Sequence, residues 1–219
     1  MGFEVDLLRN YPKSNRDIES RAESKTEADR EVARRFDIDF FDGDRRTGYG
    51  GFRYHPRFWM PVIPDLAEHF ALKPGDSLLD VGCAKGFMLH DLVQVIPELD
   101  VAGVDISQYA IENSLESIRK CLKVANAASL PFFDNQFDVV ISINTIHNLD
   151  LEDCKKALRE IERVSRRGSF ITVDAFRDDV ERERMMKWNL TARTILSVDD
   201  WKQLFDDVGF TGDYFWFIP

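Results

Sequence analysis

The side chains best able to do chemistry stand in short clusters spaced along the chain. In the first, Asp80, Gly82, Ala84 and Gly86 alternate with Val81, Cys83 and Lys85. The small residues leave room for a ligand to approach the backbone closely. About twenty positions further on comes Asp105, near the spacing at which a carboxylate meets ribose hydroxyls. Alone, each feature also reads as structure, a tight strand-to-helix turn or a helix cap; together they point to a bound nucleoside. A dinucleotide, as in a nicotinamide-dependent oxidoreductase, competes, but a G-x-G-x-x-G pattern fails at Ala84 and again at Phe87. The third glycine of a pyrophosphate site is missing.

Further along stand Ser142, Asn144, His147 and Asn148. Imidazole titrates near neutrality, so His147 is the candidate general base; its alternative role is to orient a loop. Two other stretches offer contacts for a second molecule. Arg45, Arg46, Arg53, Arg57, Tyr49, Tyr54 and Trp59 crowd one glycine-rich segment of an otherwise acidic protein. Arginine forks bind carboxylate or phosphate in bidentate fashion, so an anionic small metabolite is expected there. The alternative is that these arginines pair with Asp42 and Asp44. The segment 176–194, with Arg182, Trp188, Asn189 and Arg193, is expected to cover the same mouth.

Those clusters need elements to hold them at strand ends. Short apolar runs over 77–82, 101–105, 122–125, 137–143, 169–174 and 214–218 alternate with helical periods, such as Met88, Leu89, Leu92, Val93 and Ile96. Ser107 reads as a helix cap, Asp150 as another, and Ser197 with Asp200 as a capping box closed by Gly209. This alternation predicts an α/β, doubly wound sheet that is parallel through its centre. Ligands bind beyond the carboxyl ends of such strands, where strand order reverses. Ahead of it, 16–35 carries charges of both signs nearly continuously, with Asp17/Arg21 and Glu31/Arg35 at favourable i,i+4 spacing and a weak apolar set of Ile18, Ala22, Val32 and Phe36. Residues 1–60 therefore read as a helical, lid-like extension and 61–219 as the ligand-binding domain.

Composition narrows the classes. With 29 Lys and Arg against 39 Asp and Glu in 219 residues, the net charge is −10, which disfavours nucleic acid as a partner because duplex affinity rests on neutralising phosphates. The three cysteines, Cys83, Cys121 and Cys154, are too widely spaced for a zinc knuckle or a disulfide framework. No metal site is expected. The acidic start lacks a basic leader, and no apolar run approaches the length of a membrane span, so the expectation is a cytoplasmic protein away from membranes.

Read together, residues 78–87, Asp105 with Ile106 and Ser107, and 126–140 resemble, in order and spacing, the class I S-adenosylmethionine-dependent methyltransferases. Within that family the likeness is to the small-molecule, type 11-like branch. It covers about residues 75–175 and rests on the combination of motifs. The resemblance implies a Rossmann-like mixed sheet of about seven strands, mostly parallel with an antiparallel C-terminal strand, and helices on both faces. It implies S-adenosylmethionine as cofactor and S-adenosylhomocysteine as product. Gly82, Cys83, Ala84 and Gly86 would line the methionine portion, with Asp80 bracing that loop. Asp105 would hold the ribose, Ile106 would pack on adenine, and Asn126 with Ala127 would approach the adenine edge. Asn144 would stand at the cofactor, with His147 between cofactor and acceptor. Tyr49, Arg53, Tyr54, Arg57, His147 and Trp188 are the expected acceptor contacts. Two departures stand out: Ala84 where the family commonly has Gly, and Asn126 where Asp is usual. The same residues would also suit a non-catalytic sensor of the cofactor or a partner subunit.

Overall fold

The computed structural model describes residues 2–13 and 25–219. The residues Asp17, Ile18, Arg21 and Ala22, and with them the start of the charged helix and of the lid, lie outside that range.

At the centre are β1 (Ser77–Val81), β2 (Asp100–Asp105), β3 (Leu122–Val124), β4 (Phe137–Ile143) and β5 (Ser165–Phe176). They are parallel neighbours in the order β3-β2-β1-β4-β5. Strand order reverses between β1 and β4, which opens the crevice the sequence pattern calls for. Side chains alternate across the sheet. Leu79, Val81, Val140, Ile171 and Val173 face one apolar cluster, and Leu78, Val139, Ile141 and Phe170 face the other. Helices therefore cover both faces.

On the first face lie α7 (Leu151–Val164), through Cys154, Leu158 and Ile161, and α9 (Val198–Val208), through Trp201, Leu204 and Phe205. On the second lie α3 (Ile63–His69), through Ile63 and Leu66, and α4 (Phe87–Val95), through Met88, Leu89 and Leu92. Gly103 explains how closely α4 approaches: a Cβ there would lie 2.8 Å from Leu89 Cδ1 and 2.6 Å from Leu122 Cδ2. Local signals hold where expected. Ser107 accepts the Ala110 N–H at the start of α5 (Gln108–Glu112), Ser197 accepts the Asp200 N–H, and Gly209 closes α9 at φ +72°. Asp150 is the exception: its side chain makes no cap bond to α7 and instead pairs with Arg193.

The last strands are β6 (Leu196–Ser197) and β7 (Asp213–Phe217), and both pair with β5. Here one expectation is corrected. β7 runs parallel to β5, with Phe170 opposite Asp213 and Asp174 opposite Phe217, and not antiparallel. The chain reaches β7 through α9, a crossover that returns it to the starting end of the sheet, and only a hairpin would reverse it. The outer edge of β7 is covered from the other end of the chain. Glu4 pairs in parallel with Tyr214, Val5 N–H donates to Tyr214 O at 2.9 Å, and Leu7 is buried in the α3/α4 cluster. Along the chain, between this N-terminal segment and α3, come α1 (Glu27–Ala33) and α2 (Ile38–Phe41), the latter with Phe41 against Tyr109 of α5. On α1, Glu27 pairs with Arg30 and Arg34, and among the described residues the Glu31/Arg35 pair is not formed.

Candidate functional site

The turn after β1 is set by backbone constraints. Gly82 has φ +89°, and a Cβ there would fall 2.0 Å from Thr145 Oγ1 on the turn after β4. No other residue fits. The N–H groups of Gly82 and Cys83 both donate to Val104 O, at 2.7 and 3.0 Å, tying the turn to β2. Ala84 takes φ +48°, a left-handed conformation that glycine adopts without cost, which accounts for the glycine common at this place in the family. Its N–H donates to Asp105 Oδ2 at 2.8 Å, while Oδ1 accepts from Ser107 N–H at 2.9 Å. Asp105 therefore bridges the first loop to the start of α5. Gly86, at φ +73°, starts α4 with Ile118 and Leu122 behind it. The Cys83 side chain is turned inward beside Gly103, so only its backbone borders the loop.

Electrostatics distinguishes this corner from an ordinary turn. Burial, and then the neighbouring Asp105, push Asp80 up to about 8. Burial also raises Asp105, opposed by the N–H donors of Ser107 and Ala84. Two carboxyl groups desolvated by burial make a place where a cation or a set of hydroxyl donors is stabilising. Beside them Ile106 is 55% exposed, an apolar side chain left open at a strand end. Asn126 folds into a turn in which its Oδ1 accepts from Ala128 N–H at 2.9 Å, with Ala127 packed on the core.

The β4 end is built differently. Asn144 stands at φ +51° and faces β5: its N–H donates to Thr172 O, and Thr172 Oγ1 donates to Asn144 Oδ1 at 2.9 Å. His147 lies on a single 3₁₀ turn, Ile146–Asn148, and is buried. Its Nδ1 accepts the Asp174 N–H at 3.0 Å, so the neutral ring carries its proton on Nε2, which lies 3.8 Å from Asp174 Oδ1. Burial lowers its pKa, with Asp174 opposing. The ring thus presents a donor, its lone pair already engaged. Asp174, at the end of β5, is the partner that sequence reading missed; an acid closing an apolar strand was the available signal.

The arginine-rich segment splits away from this. Lys85, in the loop after β1 and with its side chain 7% exposed, donates to Asp42 Oδ2 at 2.6 Å and Phe52 O at 3.0 Å. Asp42 also accepts from Tyr109 O–H at 2.6 Å and Phe52 N–H at 2.9 Å. Although burial works the other way, those bonds hold Asp42 below the usual carboxylate range. Phe52 stacks on Phe87 at 4.9 Å. Tyr54 O–H donates to the buried Asp91 at 2.6 Å, which pushes the phenol up to about 12. Tyr49 packs among Phe40, Phe41 and Phe52. Arg53 and Arg57 are exposed, the latter stacked over Phe58. Trp188 lies elsewhere, near the end of α8 (Asp179–Trp188), against Phe217 at the end of β7. The structure therefore gathers Asp80, Gly82, Ala84, Gly86, Asp105 and Ile106 around the β1 and β2 ends, and Asn144 and His147 at the β4 end. It fastens Tyr54 to α4 through Asp91, and it seats Tyr49 among Phe40, Phe41 and Phe52.

A doubly wound sheet with a small-residue loop and a carboxylate after its first two strands defines a nucleoside-binding α/β protein. Comparison carries this further: the family described as "Methyltransferase domain" matches residues 72–209, and the chain belongs to that family, the class I S-adenosylmethionine-dependent methyltransferases. A demethylmenaquinone methyltransferase of Symbiobacterium thermophilum is 34% identical over 126 residues, covering 53% of this chain and 49% of its own. An O-methyltransferase of Aspergillus nomiae is 35% identical over 124 residues, covering 52% and 53%. The chain thus spans about half the length of these curated relatives. Among solved structures, a phosphoethanolamine N-methyltransferase of Haemonchus contortus, in complex with phosphomonomethylethanolamine and S-adenosylhomocysteine, superposes with a TM-score of 0.59 at 20% identity, over 81% of this chain and 44% of that one. At that identity the likeness is one of fold. No described helix is long and apolar enough to cross a membrane.

Proposed function

We propose that this protein transfers the methyl group of S-adenosylmethionine to an O, N or S atom of a small, anionic acceptor. The observation that carries the reading is the bracket in which Asp105 holds the Ala84 N–H on one oxygen and the Ser107 N–H on the other, beside buried Asp80 and exposed Ile106. The residues fit the cofactor. Carboxylate oxygens suit ribose hydroxyls, two poorly solvated acids suit a sulfonium cation, and Ile106 offers an apolar surface to a flat base. When bound, the cofactor supplies an electrophilic methyl group. The loop from Gly82 to Gly86 lines its amino-acid end, Asp105 orients the sugar, and Asn126 and Ala127 border the base.

His147 acts here as a positioning residue. With Nδ1 occupied by the Asp174 N–H, the imidazole fixes the turn after β4 and offers Nε2–H as a donor. Displacement at a methyl group gains most from alignment, and well-oriented pairs gain as much as ~7–11 kcal/mol. A dedicated base is therefore unnecessary. The segment from Asp42 to Trp59, pinned by Lys85, serves as the lid over the cofactor-side loop, where it excludes water.

Calorimetry tests the assignment. S-adenosylhomocysteine should bind the full chain with a Kd in the micromolar range, roughly −8 kcal/mol at 1 μM. Asp105→Ala should weaken it at least ~10-fold with the fold intact, because charge-assisted bonds are worth about 1.5–3 kcal/mol each. Wild-type affinity in this variant would reduce Asp105 to a loop brace, and no heat from the unaltered chain would remove the assignment.

A further inference from the structure

An open surface cleft of about 550 Å³ lies between the end of α1 and the segment after α8, lined by Glu31, Arg34, Arg35, Asp150, Ala192 and Arg193. That volume suits a small metabolite. Its two walls are fastened to each other and to the β4 turn. Lys25 Nζ donates to Trp188 O at 2.7 Å and Arg30 Nε to Asn189 O at 3.4 Å, across the gap. Asn189 and Ala192 hold one another through two side-chain bonds of 2.8 and 2.9 Å, which makes the second wall a fixed turn. Arg193 and Thr194 then donate their N–H groups to His147 O, at 3.0 and 2.9 Å. The cleft is thereby built onto the turn that carries His147.

Its charge runs against that of the molecule. On a protein of net charge −10 the lining brings three guanidinium groups together with two carboxylates. Arg193 pairs with Asp150 only through two exposed side chains, at 3.3 Å. Arg34 reaches Glu27 through Nη1, yet its buried Nε finds no acceptor among the described residues. Arg35 makes no ion pair among them. A desolvated guanidinium N–H without a partner is costly, and the three guanidinium groups of the lining, with only two carboxylates beside them, suit an oxyanion.

We propose that this cleft is the recognition site for the oxyanion of the acceptor, a carboxylate or a phosphate monoester, gripped by Arg34 and Arg193 with Arg35 at the rim. The proposal rests on the methyltransferase reading above and places acceptor selectivity here, away from Arg53 and Arg57. Both of those are exposed, and Arg57 is already stacked on Phe58.

The test is a titration of the full chain with inorganic phosphate and, separately, with malonate at constant ionic strength. It is run with and without S-adenosylhomocysteine and followed by NMR at the Arg34 Nε–H and the Ala192 amide. Saturable shifts at both groups, half-complete near ~1 mM, are expected for at least one anion. Response to phosphate alone identifies a phosphate monoester, response to malonate alone a carboxylate, and response to both an oxyanion held without further selection. Arg34→Met and Arg193→Met should each weaken the effect at least ~10-fold, as read at Ala192, while the Arg53→Ala/Arg57→Ala double variant keeps it. Linear, unsaturating shifts spread over the surface would overturn the proposal, as would unchanged binding in both methionine variants. Failure of S-adenosylhomocysteine to bind would count against the cofactor site alone, since the anion arms are read in its absence as well.

Discussion

The proposed cofactor side and the proposed acceptor side of this molecule are built on opposite principles. Around β1 and β2 the geometry is made by backbone. Gly82 is pressed against Thr145, two N–H groups share Val104 O, and Asp105 clasps the next loop. Around α1, the arginine segment and the stretch after α8, it is made by long charged side chains reaching across to carbonyls such as Trp188 O, Asn189 O and Phe52 O. Backbone geometry tolerates almost no substitution and suits a ligand that never changes. Side-chain geometry can be rewritten residue by residue and suits a ligand that differs between relatives. Lys85 joins the two halves, since it belongs to the first loop and spends its charge on Asp42 of the extension.

If this contrast holds, the largest single effect belongs to Gly82→Ala. The new methyl group would meet Thr145 at 2.0 Å on a backbone at φ +89°. Overpacking and backbone strain together should cost roughly 2–5 kcal/mol of stability. Denaturant melts would show it, and S-adenosylhomocysteine binding should vanish from calorimetry. Wild-type stability would mean that the β4 turn yields easily and that the cofactor side is softer than described.

His147→Ala comes next, because it leaves the buried Asp174 N–H without its acceptor, at about 1–3 kcal/mol. The sign of the pH effect separates positioning from base catalysis. Since burial lowers the folded-state pKa of His147 below 6.5, the unfolded chain binds the extra proton first, and this group makes stability fall as the pH drops below 6.5. The wild-type ring should give the Nε2–H tautomer at pH 7 by NMR. A ring that titrates at or above 6.5 with a free Nδ1 would restore the general-base role.

Lys85→Met probes the joint between the halves. It leaves Asp42 and the Phe52 carbonyl without their ammonium donor, so amide exchange over residues 42–54 should speed up and cofactor affinity should fall ~3–10-fold through loss of lid closure. Faster exchange at full affinity would show that the extension and the cofactor loop are independent.

The smallest effect is a fraction of a proton. Asp80 sits near 8 before a ligand arrives, and a sulfonium cation or ribose donors would pull that value down. Binding at pH 7 should therefore release protons, and affinity should rise with pH until about 8. Calorimetry in buffers of different ionisation enthalpy reads the release directly, and none would mean that Asp80 stays protonated throughout.

How much of this was legible follows from what each feature depends on. Strands that bury both faces, the Ser107 cap and the Ser197/Asp200 box depend on residues a few positions apart, and so do the small-residue loop and the Asp that follows it. Those were readable, and with them the doubly wound sheet and the family. The direction of β7 was not, because the resemblance implied an antiparallel last strand, whereas α9 carries the chain back to the starting end of the sheet before β7 begins. Nor was the state of His147: one hydrogen bond from Asp174, 27 positions away, turns a candidate base into a donor. The arginines make the same point. Composition brought Arg53 and Arg57 forward because they lie beside aromatic residues, whereas the cleft draws Arg34 and Arg193 from distant stretches that only the fold makes adjacent. Sequence by itself determined the elements and the backbone geometry of the loop after β1, whose interactions are local and imposed by sterics. Tertiary structure alone decided which distant charges meet, which are buried and which proton sits on which nitrogen, because desolvation is a property of the packed molecule.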